Sequence, residues 1–147
     1  MIELTLVNHD QLGKHLDSLI SKLKNAGPAF KLLAADFHKI ETEQFTSQGA
    51  RGGTRWKPLA ESTLRSKRGP SIMIESGILY SSLVKEGARF SRAKIENGRL
   101  ELGTSDPKAV FHQRGTRNMP ARPLIKLTAE DRKRWAKIVM DHVVAQR

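Results

Sequence analysis

The histidines and acidic side chains of this sequence are its first candidates for chemistry. His38 and Glu41 have the i, i+3 spacing that places two metal ligands on one face of a helix. No second such pair accompanies them, so the sequence predicts no metal site. His112 lies beside a basic loop and His142 falls on an apolar helical stripe, and both are interpreted as structural histidines. None of the five histidines lies in a GxSxG or HExxH signature.

Neither a phosphate-binding loop nor a hydrolytic pair of carboxylates is indicated. The glycine-rich stretch SQGARGGTRW (47–56) lacks the GxxxxGK[ST] order and the strand–loop–helix context of a P-loop. The acids after Glu43 are scattered among lysines and arginines. We therefore expect a protein that is not an enzyme, has no catalytic residues and holds no cofactor.

Basic side chains are concentrated in two stretches of the chain. The net charge is +11, to which residues 1–50 contribute −1. Six basic residues and one acid occupy 51–70, and four basic residues and no acid occupy 114–126. This asymmetry favours a positive surface for an anionic partner, acidic protein or nucleic acid, over a role in solubility alone. Trp56 is the one aromatic residue in these stretches, so any DNA contact is expected to be nonspecific.

The second basic stretch contains the segment RGTRNMPARPLI (114–125), which is expected to be stiff. Pro120 and Pro123 bracket Ala121 and Arg122, and proline restricts both its own φ and the residue before it. Rigidity lowers the entropy lost when an exposed segment docks. The Arg122 guanidinium is predicted to pair with an acid, and the sequence leaves open whether that acid belongs to its own chain or to a partner.

Composition narrows the compartment and the class of protein. The 147 residues suffice for one domain with its own core. Cysteine is absent, which excludes disulfides and thiolate zinc sites. We find no apolar run of membrane-spanning length and no secretory signal at the N-terminus. The expected location is a cytoplasm, or a particle assembled in one.

Apolar periodicity predicts an α+β fold in a single domain spanning 1–147. Leucines at helical spacing form a stripe before Gly27-Pro28, and a second apolar face follows it. Asn97-Gly98 between two strand-like runs is the strongest short hairpin signal. The predicted elements are a strand at 1–7, an antiparallel helix pair over about 10–45, a mobile basic loop at about 46–70, hairpin strands at 88–95 and 99–103, and a helix from Thr128 to the C-terminus.

Four motifs occur in an order that resembles a known family. They are FTSQGARGGTRWKPLAESTL (45–64), IMIESGILYSSL (72–83), LELGTSDPKAVFHQRGT (100–116) and MPARPLIKLTAED (119–131). Each motif alone is weak, but the four in this order resemble the phage virion morphogenesis family of Mu-like and related tailed phages. The N-terminal helices fit that family in character only.

The resemblance implies a structural protein at the head–tail junction of a virion, assembled in the cytoplasm of a bacterial host. It implies a homo-oligomer, a hexameric ring, that completes the tail and supports head–tail joining. The implied neighbours are neck or connector proteins and tail-tube or tail-terminator proteins, with no membrane. Contact with phage DNA in the channel is compatible with the charge. The alternative function is a nonspecific DNA-binding protein of a mobile element.

The interface residues are expected in the two basic loops, because arginine and aromatic residues are the usual hot spots. Trp56 is interpreted as an anchor that docks into a neighbouring subunit, the alternative being packing within its own subunit. Trp56→Ala and Arg122→Ala are thus predicted to impair assembly more than folding. The candidate interface residues are Trp56, Arg51, Arg55, Arg114, Arg117 and Arg122.

Overall fold

A computed structural model describes residues 9–96 and 98–145 and, over that part of the chain, shows an α+β fold of six helices and one antiparallel hairpin. The elements in chain order are α1 (His9–Lys24), α2 (Gly27–Thr46), α3 (Glu61–Ser66), α4 (Ile78–Val84), β1 (Ser91–Glu96), β2 (Arg99–Thr104), α5 (Lys108–Arg114) and α6 (Ala129–Ala145), with a 3₁₀ turn at Ala50–Gly52. The predicted strand at 1–7 lies outside the described residues. No helix among those described is long and apolar enough to cross a membrane.

Helix α2 is the element around which the core is built. Pro28 lies in its first turn, where backbone N–H groups make no hydrogen bond within the helix, so the N–H that proline lacks costs nothing there. Its buried positions recur at helical spacing, as the predicted apolar face requires. The helix packs against α4 and α6. The central cluster of the core consists of Phe37, Phe45, Trp56, Leu79, Leu83 and Leu124.

The β-hairpin confirms the prediction made from Asn97-Gly98. Strands β1 and β2 pair antiparallel, with Ala93 opposite Leu102 and Ile95 opposite Leu100. The first strand was expected to begin at residue 88 with a bulge near Ser91, and both details are wrong. It begins at Ser91 because Phe90 has a φ of 66°, and its register then continues without a bulge to Glu96.

Both predicted N-terminal helices form, but they do not pack as a simple pair. The main neighbours of α2 are α4 and α6, and α1 contacts α6. Three apolar side chains of α1 are largely exposed: Leu16 at 50%, Leu19 at 40% and Ile20 at 50%. The helix predicted from this apolar stripe therefore forms, and Leu16 and Leu19 of the stripe are partly exposed to solvent in the single chain.

The stretch predicted as a mobile loop at about 46–70 has considerable structure. Helix α2 continues to Thr46, the 3₁₀ turn follows, and α3 occupies Glu61–Ser66. Gly52 and Trp56 are buried within it. The basic residues of this stretch are thus carried partly on ordered turns that pack against the core.

Candidate functional site

Trp56 is fixed inside its own chain. Its side chain is 3% exposed and packs edge-on against Phe45, with the ring centroids 5.3 Å apart. The indole Nε1 donates to the carbonyl of Pro123 at 2.9 Å, and the backbone N–H donates to the carbonyl of Gln48 at 2.7 Å. Of the two roles considered for Trp56, the structure shows packing within the subunit, and docking into a neighbour remains a prediction.

Gly49 makes room for this tryptophan. Its φ is 86°, a backbone conformation that residues other than glycine rarely adopt. A Cβ added to it would lie 2.4 Å from Cδ1 of Trp56, which is closer than non-bonded carbons can approach. The glycine-rich sequence, which was expected to be a mobile loop, therefore packs against the Trp56 ring at Gly49.

Two glutamines hold the proline-bracketed segment in place. Gln44 is buried and donates to the carbonyl of Pro123 at 3.0 Å while accepting from the N–H of Gly52 at 3.0 Å. Gln113 accepts from the N–H of Leu124 at 2.8 Å and donates to the carbonyl of Ile125 at 2.9 Å. These side-chain amides pair with backbone groups of the segment, so the extended segment is fixed by hydrogen bonds as well as by its prolines.

Arg122 is buried and bonded to carbonyl oxygens. It is 5% exposed, its Nε donates to the carbonyl of Lys57 at 2.8 Å, and its Nη2 donates to the carbonyl of Pro58 at 2.9 Å. Among the described residues it has no carboxylate partner. Of the two alternatives for Arg122, an acid of its own chain is thus replaced by backbone acceptors, because the loop after Trp56 passes next to the guanidinium. Pairing with an acid of a partner stays a prediction. Burial lowers the pKa of Arg122 from its ordinary value.

Arg51 has the carboxylate partner that the sequence suggested for Arg122. Its guanidinium donates to both oxygens of Asp131, at 2.9 and 2.6 Å, and its Nε donates to Glu43 at 3.0 Å. Asp131 also accepts from Thr128 and from Arg134. Burial would raise the pKa of Asp131, but these hydrogen bonds outweigh it and hold that pKa well below its usual range. Arg51 therefore joins the end of α2 to the start of α6.

The other three candidate arginines lie on the surface. Arg55, Arg114 and Arg117 are exposed, and within the described residues none of them takes part in an ion pair. The structure thus divides the predicted set into three residues that organise the chain (Arg51, Trp56 and Arg122) and three that are available to a partner. It does not bring the six together in one patch.

A groove of about 990 Å³ runs beside the proline-bracketed segment. Its walls come from the loop that follows Trp56, the start of α4, Phe90, the start of α5, and the Met119-Pro120 turn. The lining is mainly apolar, and Arg122 and His112 border it. The apolar side chains that line it include Pro58, Leu59, Ile74, Ile78, Phe90 and Met119.

His112 stands beside Arg122 in this groove. The backbone N–H of Arg122 donates to the carbonyl of His112 at 2.8 Å, and the buried Nδ1 of His112 has no hydrogen-bond partner within the part of the chain that the structure describes. Burial and then the Arg122 charge lower the pKa of His112. The imidazole is thus shifted toward its neutral form beside the buried Arg122 cation.

Glu41 is a further buried ionisable group, away from the groove. It is fully buried, and neither of its carboxylate oxygens has a hydrogen-bond partner among the described residues. Burial raises its pKa to about 8, against an opposing effect of Arg51. His38, one turn earlier, bonds to the carbonyl of Leu83 through Nδ1. No group of three potential metal ligands occurs within the part of the chain that the structure describes.

Sequence reasoning missed the groove and the two glutamines. Gln44 lies on the predicted apolar face of α2, where a polar residue at a core position is a signal of a buried hydrogen bond. Gln113 lies in the motif HQRGT, where no such signal marks it. Asp131 closes the motif MPARPLIKLTAED, but its pairing with Arg51 was not predicted. The groove is formed by segments far apart in sequence, and no local pattern indicates it.

Comparison with known proteins gives one positive result. A sequence model of the phage virion morphogenesis family matches residues 7–144. Neither the curated proteins nor the solved structures include a significant match to the chain.

Proposed function

The chain belongs to the phage virion morphogenesis family, and from its role in virion assembly we propose that it is a structural protein of the head–tail junction. In this proposal it forms a hexameric ring that completes the tail and supports its joining to the DNA-filled head. The family match over residues 7–144 carries the proposal. The protein is a component of the virion rather than an enzyme, and it acts through its surfaces.

Two surface features support self-association and contact with neighbours. Apolar side chains are exposed on α1, α5 and α6, where a monomer gains nothing from them. Arg55, Arg114 and Arg117 are exposed cations without ion pairs among the described residues. An apolar surface suits contacts within a ring, and the cations suit acidic neighbouring proteins or DNA in the channel. The exposed apolar side chains of these helices are Leu16, Leu19, Ile20, Val110, Phe111, Met140 and Val144.

The decisive experiment inactivates the gene in the phage that encodes this chain. We expect full heads and separate tails to accumulate, and purified protein to restore joining when it is added to that lysate. A reconstruction of the intact particle should place the chain in a ring between head and tail. Normal infectious particles that lack the chain would contradict the proposal.

A nonspecific DNA-binding protein is the second candidate function. The exposed, unpaired arginines favour it, together with the excess of positive charge after residue 50. Native mass spectrometry and DNA binding at several salt concentrations separate the two functions. A ring with weak DNA binding supports the junction protein, whereas a monomer with tight, strongly salt-dependent binding supports the alternative.

A further inference from the structure

The groove beside Arg122 has the chemistry of a binding site for an acidic protein segment. We propose that it receives a segment of another virion protein, whose apolar side chains fill the groove and whose aspartate or glutamate carboxylate pairs with Arg122. This inference rests on the proposed function, since it names the kind of neighbour that the junction protein would bind.

The first observation is the incomplete bonding of a buried cation. Nε and Nη2 of Arg122 donate to carbonyl oxygens, but Nη1 has no hydrogen-bond acceptor among the described residues. Arg122 as a residue is 5% exposed, so its charge is poorly hydrated and gains from an anion in the groove. Nδ1 of the neighbouring His112 is buried and has no hydrogen-bond partner among the described residues. Arg122 lines the groove, so a ligand there is the available source of that anion.

The second observation is the charge around the groove. Its lining contains five lysine and arginine side chains and two acids. One of the acids, Asp106, is buried and accepts from the N–H of Lys108 at 2.9 Å, so it is already engaged in its own loop. Glu75 is exposed. Lys57 and Lys108 are exposed and have no ion pair among the described residues, which leaves positive charge at the rim for an acidic ligand.

The shape of the groove favours a protein segment over DNA. Phosphates of a duplex are contacted by exposed cations on a surface that follows the double helix. Arg122 instead lies below the surface, among apolar side chains such as Leu59 and Met119. An apolar groove with one buried cation matches a peptide that presents apolar anchors and a carboxylate.

Photo-crosslinking in assembled particles tests the occupant of the groove. Benzoylphenylalanine replaces Leu59 in one variant and Met119 in another, with Ile95, which is exposed and does not line the groove, as the control position. We expect both groove positions to crosslink to one segment of another virion protein that contains Asp or Glu, and the control position not to do so. Crosslinks to DNA, to another copy of this chain, to a segment without acids, or to nothing would overturn the inference.

A synthetic peptide of the crosslinked segment then tests the ion pair. Its affinity for the purified chain should fall about tenfold or more when its acid is changed to the amide, and by a similar factor for Arg122→Gln. Combining the two changes should cause little additional loss, because both remove the same pair. An acid-to-amide peptide that binds the unaltered chain as tightly as the original contradicts the pairing, whether or not Arg122→Gln folds.

The two proposals fail in different ways. If the chain is absent from particles, or heads and tails join without it, the proposed function is wrong. If the chain is present and joining requires it, but the groove positions crosslink to DNA, to another copy of the chain, to a segment without acids or to nothing, only the groove inference is wrong.

Discussion

The indole N–H of Trp56 donates to the carbonyl oxygen of Pro123, 67 residues further along the chain, at 2.9 Å. The same carbonyl accepts from Gln44 at 3.0 Å. One oxygen of the proline-bracketed segment thus receives donors from α2 and from the glycine-rich loop. This contact ties together the two basic stretches that the sequence presents as separate, and it makes Trp56 a determinant of folding.

Trp56→Ala is expected to destabilise the fold by about 3–5 kcal/mol, because it leaves a cavity next to Phe45. Trp56→Phe keeps most of the ring and removes the N–H, and since Gln44 still bonds to Pro123 the hydrogen-bond loss should be about 1 kcal/mol. Urea unfolding of the purified variants measures both. Equal stability of Trp56→Ala and the unaltered chain would support the sequence-based expectation that Trp56 acts mainly in assembly.

Gly49→Ala is expected to be more damaging than Gly53→Ala, although both glycines have a positive φ. The added methyl group at Gly49 collides with Trp56, whereas at Gly53 it meets nothing within 4 Å. Gly53→Ala therefore carries only the backbone strain, about 1–2 kcal/mol. Thermal unfolding of the two variants compares them directly, and identical melting temperatures would show that the Trp56 ring does not need the space above Gly49.

Asp131→Asn is expected to cost about 3–5 kcal/mol, since it removes the buried carboxylate that pairs with both Arg51 and Arg134. The matched control is Glu130→Gln on the same turn, whose ion pair with Lys133 is exposed and should contribute less than about 1 kcal/mol. Because the pKa of Asp131 is lowered on folding, its stabilisation is present above the ordinary pKa of 3.8 and is lost as pH falls below it. Urea unfolding at neutral and acidic pH measures both effects, and a control variant as unstable as Asp131→Asn would contradict them.

Glu41→Gln is expected to remove a pH dependence of stability between pH 4.5 and about 8. Folding raises the pKa of Glu41 from 4.5 to about 8, so the native state binds the proton more tightly than the unfolded chain does. The associated stability is fully present below pH 4.5 and declines, by about 1.4 kcal/mol per pH unit, until pH 8 is passed. The variant should therefore equal the unaltered chain near pH 4.5 and exceed its stability at pH 8. Urea unfolding across this range tests the sign, and a stability difference that does not change with pH would contradict the assignment.

The exposed apolar residues of α1 are expected to matter for assembly more than for folding. The double variant Leu16→Ser and Ile20→Ser removes side chains that are half exposed, so its unfolding free energy should change little. Ring formation, measured by native mass spectrometry, should weaken if α1 lies at the contact between copies. The control is Leu64→Ser on α3, where a similarly exposed side chain is removed. Unchanged assembly of the α1 variant would exclude this helix from the ring contacts.

The sequence predicted well whatever depends on neighbouring residues. The turn signal Asn97-Gly98 correctly predicted the hairpin, and Gly27-Pro28 correctly predicted the boundary between α1 and α2. Apolar spacing identified the buried face of α2, including Leu33 and Phe37. These signals are local because helix periodicity and turn conformation are set within a few residues. The order of short motifs likewise sufficed to identify the family.

The partners of the long polar side chains could not be predicted in the same way. The sequence pairs Arg122 with an unspecified acid, yet Asp131 lies against Arg51, and Arg122 bonds to the carbonyls of Lys57 and Pro58. These partners are 64 to 80 residues away along the chain. Their choice depends on which backbone segments cross next to each other, and local patterns carry no information on that.

The sequence by itself thus determined the α+β class, the first two helices, the last helix and the hairpin, the excess of positive charge and the family. Only the tertiary structure decided that Trp56 and Arg122 are buried, that a groove opens beside them, and that Arg55, Arg114 and Arg117 stay on the surface. The physical reason is that burial and pairing are properties of the assembled core. Net charge and apolar periodicity follow directly from the order of residues. The environment of a side chain is set only when distant segments pack around it.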